Sequence, residues 1–440
     1  MDKRKPIINL KGSRTDVTQT VNLESDHNDP VSFVLGFLRN LVGVKDVFSL
    51  RISLPTHLLD SVSALEFWQY MDRPDLFVTL SDPDNDVMRF LGIVRWWFSK
   101  DSKWKDHVIK KPYNPILSEF FTCHWQVPNP SVSPASKERV SLASEPSTAI
   151  TGNTTLSDES LVKPPLYTVY YLAEQISHHP PMSAYHFHCP EKDITAYGID
   201  HLSGRFTGTA FRVGPGDQTT GIHVSLNLRN EEYTMTHPWA QVAGFLSGSL
   251  YITCGAECVI TCPKNNLKCV IEYKEESMWS KPKFAIEGKL FRYDYSKDAG
   301  SAEKKQEKLS KVPQVDVLAT LQGAWNGKVF YRLANDTTDH LLIDVQQSTV
   351  VEKIVRPIEV QAENESRRVW HGVTEALLKK DYVKANLEKR KIEDDQRAKA
   401  AENAKSGVVF EPAFFEVPQL GKPKLKDSVK LFSPDFSTMH

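Results

Sequence analysis

The residues Glu174-Gln175-Ile176-Ser177-His178-His179-Pro180-Pro181 carry the densest chemistry in this chain. Two adjacent imidazoles offer ring nitrogens that can donate to an anion or bind a metal. Neighbouring side chains on a strand point to opposite faces, so both histidines can line one site only at a strand end or turn. Pro180 and Pro181 supply such a break, because they remove two backbone donors and fix the chain's direction. A second cluster is Lys110-Lys111-Pro112-Tyr113-Asn114-Pro115-Ile116-Leu117-Ser118-Glu119. Two prolines so close together exclude a helix interior and predict a rigid extended loop presenting Lys111 and Asn114. A third is Lys389, Glu393 and Arg397, whose i, i+4, i+8 spacing puts them on one helix face. Taken singly, these features also fit satisfied core histidines, a solvated loop and surface ion pairing.

Catalytic readings of the same residues are weaker. His178, His179, His186 and His188 could form a metal or acid–base cluster with Glu174, and His186 and His188 share a strand face. The H-E-x-x-H pattern of a hydrolytic metal site is absent, and no G-x-S-x-G elbow surrounds Ser177. Cys254, Cys258, Cys262 and Cys269 lack paired C-x-x-C spacing and sit in a strand-like segment, so they do not read as zinc ligands. The expectation is therefore no catalytic residue, no metal and no cofactor.

The elements that must position these groups follow from periodicity. Residues 1–28 are polar and read as a flexible N-terminus, and 29–53 as a lid segment. Val34, Phe37, Leu38 and Leu41 fall at helical spacing, and Phe33, Leu35 and Val42 widen the stripe beyond one face. That breadth suits a core helix or a lid over an apolar cavity. Leu54-Pro55-Thr56 marks an extended entry. Helices are predicted over Ala64–Met71, stopping before Pro74, and over Asp86–Lys100, with Asn85 as cap and Met88, Leu91, Val94 and Phe98 on the packed face. From Phe120 to about Trp325 the period changes to two, which predicts a long antiparallel sheet, most simply a barrel. Two inserts interrupt it: a Ser/Thr/Pro-rich loop over 129–165 and a polar, Lys-rich hairpin extension over 296–311. Helices return at Glu365–Lys380 and Asp381 to about Lys405, and 417–440 is a tail.

Bulk properties exclude several classes. The 440 residues suit one large barrel as well as several ~150-residue domains. A net charge of −1 argues against nucleic acid, so any anion site must be local. No apolar h-region follows Met1 and no window nears ~18 uninterrupted apolar residues, so neither a secretory signal nor a spanning helix is expected. Six cysteines in this length are not a disulfide framework.

The motifs in order resemble those of the oxysterol-binding protein family of lipid carriers. Glu174–Pro181 matches the family's E-Q-x-S-H-H-P-P fingerprint at every fixed position. Lys111-Pro112-Tyr113-Asn114-Pro115 is similar to its K-P-x-N-P loop, and Glu365-Ser366-Arg367-Arg368-Val369-Trp370 to its E-S-R-x-x-W helix start. Lys389-x3-Glu393-x3-Arg397 and the aromatic stretch Phe410-Glu411-Pro412-Ala413-Phe414-Phe415 are similar as well. The chain departs at Ser118, where the family usually has Gly. It resembles the short, single-domain, fungal-type members.

The resemblance implies a mainly β fold with α: a near-closed antiparallel β-barrel enclosing a lipid tunnel, with an N-terminal lid and helices and C-terminal helices. The lipid-binding domain would span 54–416, with C-terminal helices over 365–405. It implies that Lys111, Asn114, His178, His179, Lys389, Glu393 and Arg397 surround a phosphatidylinositol 4-phosphate headgroup. Val34, Phe37, Leu38, Leu41, Leu54 and Thr56 would form the lid and tunnel entrance. A second lipid would compete for the tunnel. Leu54-Pro55-Thr56 is similar to phosphatidylserine carriers but is followed by His57, and Met71 stands where sterol carriers have an aromatic. Family frequency points to a sterol, with phosphatidylserine or a non-transferring sensor as alternatives. A monomeric cytoplasmic protein is implied, making transient peripheral contact with endoplasmic reticulum, Golgi or plasma membrane.

Overall fold

The computed structural model describes residues 20–21, 51–52, 56, 59–100, 102–105, 110–129, 166–207, 210–243, 251–275, 283–298, 309–417 and 421–429. Of the expected lid and tunnel residues only Thr56 is among these; Val34, Phe37, Leu38, Leu41 and Leu54 lie outside, as do 130–165 and 299–308 of the two inserts.

Alternating apolar and polar residues form the strands of one large sheet. In chain order they are β1 (Phe120–Pro128), β2 (Leu166–His178), β3 (Pro181–Cys189), β4 (Ile194–Phe206), β5 (Phe211–Pro215), β6 (Ile222–Leu226) and β7 (Glu231–Met235). There follow β8 (Trp239–Ala243), β9 (Tyr251–Cys262), β10 (Leu267–Tyr273), β11 (Ala285–Arg292), β12 (Val317–Ala324), β13 (Lys328–Leu333) and β14 (His340–Asp344). The spatial order is β14-β13-β12-β11-β10-β9-β7-β6-β4-β3-β2-β1, with β5 and β8 forming a flap between β4 and β9. Asp193, Asn230 and Asn266 close three of the hairpins with φ of 48°, 50° and 51°. Asp and Asn tolerate that left-handed conformation better than most residues.

Among the described residues the two sheet edges do not pair directly. The chain after β14 bridges them instead. His124 N donates to Ile354 O at 3.0 Å, Ile354 N returns to His124 O at 2.7 Å, and Phe120 N donates to Asn364 O at 3.1 Å. The sheet thereby curls into a near-closed barrel. Strands continue to Asp344, beyond the expected end near Trp325, because β13 and β14 alternate short apolar stretches with exposed polar residues. The described ends of the Lys-rich insert are a helical turn, Tyr295–Asp298, and a 3₁₀ turn, Leu309–Lys311.

The barrel interior is apolar and continuous with helix α1 (Asp86–Ser99). Asn85 caps α1 by accepting from Met88 N at 3.0 Å, as expected. The packed surface is broader than the predicted face. Phe90, Ile93, Val94, Trp96 and Trp97 are fully buried, whereas Met88 is exposed. Trp97 Nε1 donates to Tyr273 Oη at 2.9 Å, and the Phe90 and Tyr233 rings lie 5.5 Å apart, so α1 packs against the walls formed by β7 and β10. The expected Ala64–Met71 helix is shorter, Ala64–Phe67, and Pro74 opens a second one, Pro74–Phe77. Proline suits that first helical position, where its missing N–H has no partner to lose.

The C-terminal helices are α2 (His371–Leu378) and α3 (Tyr382–Ser406). Asp381 caps α3 at Lys384 N, and Gly407 ends it at φ 69°. None of the described helices is long and apolar enough to cross a membrane.

Candidate functional site

The histidine motif forms the hairpin between β2 and β3. Strand pairing ends at His178↔Pro181, and the His179–Pro180 bond is cis. The two imidazoles meet edge to face with centroids 4.6 Å apart. His178 Nδ1 lies 3.0 Å from Pro115 O. A carbonyl only accepts, so Nδ1 carries the hydrogen. This bond attaches the hairpin to the predicted Lys-Pro loop.

That loop starts as a short strand, Lys111–Tyr113, parallel to Leu59–Ser63. Tyr113 stacks on Trp370 at 4.6 Å and holds Thr374 Oγ1 at 3.0 Å, which anchors the loop on α2. Lys111 is half-buried and faces α3. Burial, and then the like charge of Lys389, pull its ammonium down to about 8, with Glu393 opposing. Lys389 is itself buried and pairs with Glu393 at 2.8 Å. The structure thus brings Lys111, Lys389 and Glu393 together, with His178 at the other end of the loop and Asn114 exposed between. Arg397 is exposed and paired with Asp394, within electrostatic reach of Glu393. Thr56 donates from Oγ1 to Tyr382 O at 3.2 Å, at the start of α3.

Two carboxylates build this arrangement, and neither role is visible locally in the sequence. Glu119 is fully buried and accepts from Ser63 Oγ (2.5 Å), Ser366 Oγ (2.7 Å), Trp370 Nε1 (2.9 Å) and Ile116 N (3.0 Å). It locks the loop to the Glu365–Trp370 motif. Burial pushes its carboxyl up, opposed by those donors. Glu174 is equally buried and accepts from Ala413 N (2.6 Å) and Phe414 N (3.0 Å). It clamps the Phe410–Phe415 stretch over the outer face of the sheet, where Phe415 packs with Leu172, Ile176, Met182 and Ile199. Glu174 therefore serves backbone amides, not a metal. Within the E-S-R-x-x-W segment, Glu365 pairs with Arg356, and Arg367 holds the buried Glu66 bidentately at 2.6 and 3.0 Å. Burial raises Glu66, yet Arg367 and Lys353 together hold it below the ordinary glutamate value.

Ser118 sits at φ 66°. The turn needs a left-handed residue there, which accounts for the usual glycine. Its backbone N donates to Gln175 O at 3.1 Å, so the strain is held by the hairpin strand. Left-handed backbone costs a non-glycine residue ~1–2 kcal/mol, partly offset by glycine's larger unfolded-state entropy. Ser118→Gly is expected to stabilise the fold by about 0.5–1 kcal/mol, read from chemical denaturation midpoints. A lower midpoint would show that the serine conformation is not strained.

The interior end nearest the histidine hairpin is polar. Gln175, Ser183 and Asp200 are cross-strand neighbours, and alternation with Ala173, Tyr185 and Gly198 turns them inward. Tyr70 Oη donates to Asp200 at 2.8 Å, and burial pushes the Asp200 carboxyl up to about 7. His186 and His188 lie on the opposite, outer face with rings 6.4 Å apart. Burial, then His188, lowers His186 to about 3. They are therefore not part of the His178–His179 site. Among the described residues no group of three or more potential metal ligands occurs. Cys258, Cys262 and Cys269 are buried thiols of the barrel, and burial raises Cys262 to about 11.

A near-closed barrel with an apolar interior, joined at one end by histidines and lysines, has the features of a site for an amphipathic ligand with an anionic head. The oxysterol-binding protein family model matches residues 33–377, and the chain belongs to that family. It is 35% identical to oxysterol-binding protein-like protein 1 of Schizosaccharomyces pombe, over 90% of this chain and 89% of the relative. It is 29% identical to oxysterol-binding protein-like protein OBPa of Candida albicans, over 91% and 79%. Its fold is similar to the Osh1 ORD domain in complex with cholesterol, with TM-score 0.62, 17% identity and coverage of 91% and 88%. It is also similar to the Osh3 ORD from Saccharomyces cerevisiae in complex with PI(4)P, with TM-score 0.59, 18% identity and coverage of 89% of each chain.

Proposed function

We propose that this protein exchanges phosphatidylinositol 4-phosphate and a sterol between cytosolic membrane faces, holding one at a time in the barrel. The observation that carries the reading is the meeting of Lys111 and Lys389 around the carboxylate of Glu393, with the tethered His178 at the other end of the same loop. Two ammonium groups held close together, with the charge of Lys389 helping to lower Lys111, gain most from a polyanion. A phosphate monoester brings ~−1.5 to −2 charge and strong acceptor oxygens. Lys111, Lys389, His178 and His179 supply donors to it, and Asn114 and Glu393 suit inositol hydroxyls. Arg397 reaches the ligand by leaving Asp394, an exposed pair that holds it only weakly. On this reading the sterol's rings take the apolar interior, and its hydroxyl pairs with the polar end at Tyr70 and Asp200. The Osh1 complexes with sterols and the Osh3 complex with PI(4)P support both ligand types. The cytosol as site of action, and a monomeric carrier, belong to the same proposal.

Apolar chains pass from bilayer to barrel, one dry environment to another, so burial largely cancels and headgroup contacts select. Both lipids need the same interior, which makes their binding mutually exclusive. Native mass spectrometry of sterol-loaded protein titrated with phosphatidylinositol 4-phosphate is expected to show one-for-one displacement. Vesicle-to-vesicle assays should show coupled transfer. A ternary complex overturns exchange. Displacement of co-purified phosphatidylserine instead of sterol reassigns the second lipid, and binding without transfer leaves a sensor.

A further inference from the structure

We infer that the corner between α2 and α3 is a docking surface for an anionic bilayer; this rests on the membrane role proposed above and assigns it a place. Leu378, Tyr382, Val383 and Leu387 are large apolar side chains within ten residues, each between 45% and 75% exposed. Val383, Leu387 and Lys391 follow at i, i+4, i+8 along one face of α3, while Ala385 and Lys389 of the same helix are buried. Exposed apolar side chains in such a cluster mark an interaction site.

Charge selects the partner. Residues 378–391 hold six basic side chains (379, 380, 384, 389, 390, 391) against two acidic ones (381, 388), in a chain of net charge −1. Asp381 is the α3 cap, and Lys379, Lys380, Lys384, Arg390 and Lys391 are all exposed. Apolar residues that can enter the acyl boundary, flanked by lysines that reach anionic headgroups, are the pattern of an interfacial membrane contact. The neighbouring cavity, between Thr56, Asp60, Lys110 and Tyr382, holds about 100 Å³.

Position gives the contact a purpose. Lys389, two residues beyond Leu387, faces Lys111 in the headgroup site. Thr56, at the end of the segment that follows the expected lid, hydrogen-bonds Tyr382 O. A protein resting on this corner holds its headgroup site against the surface that displays the headgroup.

The full chain is tested by co-sedimentation with phosphatidylcholine vesicles, with and without phosphatidylserine and free of phosphoinositide. Val383→Asp with Leu387→Asp, and separately Lys379→Glu with Lys384→Glu, alter only exposed side chains. Each pair is expected to lower partitioning onto phosphatidylserine-containing vesicles by roughly tenfold or more. Binding of short-chain phosphatidylinositol 4-phosphate in solution should stay at the wild-type level. Folded variants that sediment like wild type overturn the surface, as does wild-type binding indifferent to phosphatidylserine. A dimer lost in Val383→Asp with Leu387→Asp, without vesicle binding by wild type, overturns it in favour of a second copy of the chain. If the vesicle losses occur but wild type fails to bind the short-chain lipid, the docking surface stands and the headgroup reading falls.

Discussion

His178→Ala combined with His179→Ala is expected to abolish extraction of phosphatidylinositol 4-phosphate from liposomes and leave sterol binding close to wild type. Each hydrogen bond to a charged phosphate contributes ~1.5–3 kcal/mol, so losing two lowers affinity roughly hundredfold to ten-thousandfold. The rings stand at a hairpin whose direction is fixed by two prolines, and His178 is oriented by its Nδ1–H donating to Pro115 O at 3.0 Å. Nε2 is then the nitrogen through which His178 engages a ligand, and it donates to a phosphate in the imidazolium form, in which both ring nitrogens carry hydrogen. The same bond ties hairpin to loop, so the alanine pair could loosen both. His178→Asn separates the effects: its amide nitrogen can keep the Pro115 contact while the ligand-facing nitrogen is lost. The asparagine variant should therefore fold like wild type and still extract poorly. Retained extraction by a folded double alanine variant excludes these histidines from the headgroup site.

What the sequence showed and concealed follows the range of the interactions involved. The Asn85 cap, the turn at Pro180-Pro181 and the Lys389–Glu393 pair are decided within a few residues, and each was legible. The barrel class was legible from period-two alternation, although β13 and β14 were missed because only short apolar runs mark them. Met88 was placed on the packed face of α1 because its spacing suited one stripe. The barrel instead packs around most of the helix and leaves Met88 exposed in the first turn. Glu119 and Glu174 were invisible as structural hubs, since Ser366, Trp370, Ala413 and Phe414 join them from more than 200 residues away. The only available sign was an acidic residue beside or within an apolar strand. Ser118 was visible as a departure, but its left-handed φ gives the reason. Arg397 shares a helix face with Lys389, yet its nearest carboxylate, Asp394, holds it in the present arrangement.

Lys111→Ala is expected to weaken phosphatidylinositol 4-phosphate binding about ten- to hundredfold, the cost of one charge-assisted contact of ~1.5–3 kcal/mol. Its pH dependence identifies the residue more sharply than the loss itself. Burial and the Lys389 charge depress Lys111 from 10.5 to about 8 in the ligand-free fold. A bound phosphate favours the ammonium and raises that value again. Below about 8, Lys111 is charged in both free and bound protein, and its contribution to affinity is flat. Above it, the free protein has lost the proton and binding must recover one, so affinity falls by up to ~tenfold per pH unit. The phosphate is already dianionic there, since its second pKa is ~6, and adds no slope of its own. Stability of the ligand-free chain runs the other way. The unfolded state holds more protons between about 8 and 10.5, so this group makes the fold more stable as pH rises through that window. Calorimetric titration with short-chain lipid, in buffers of different ionisation enthalpy, should detect proton uptake above pH 8 in wild type. Lys111→Arg keeps its charge throughout and should abolish the uptake while retaining much of the affinity. Proton uptake that persists unchanged in Lys111→Arg assigns it to another group and removes Lys111 from contact with the phosphate.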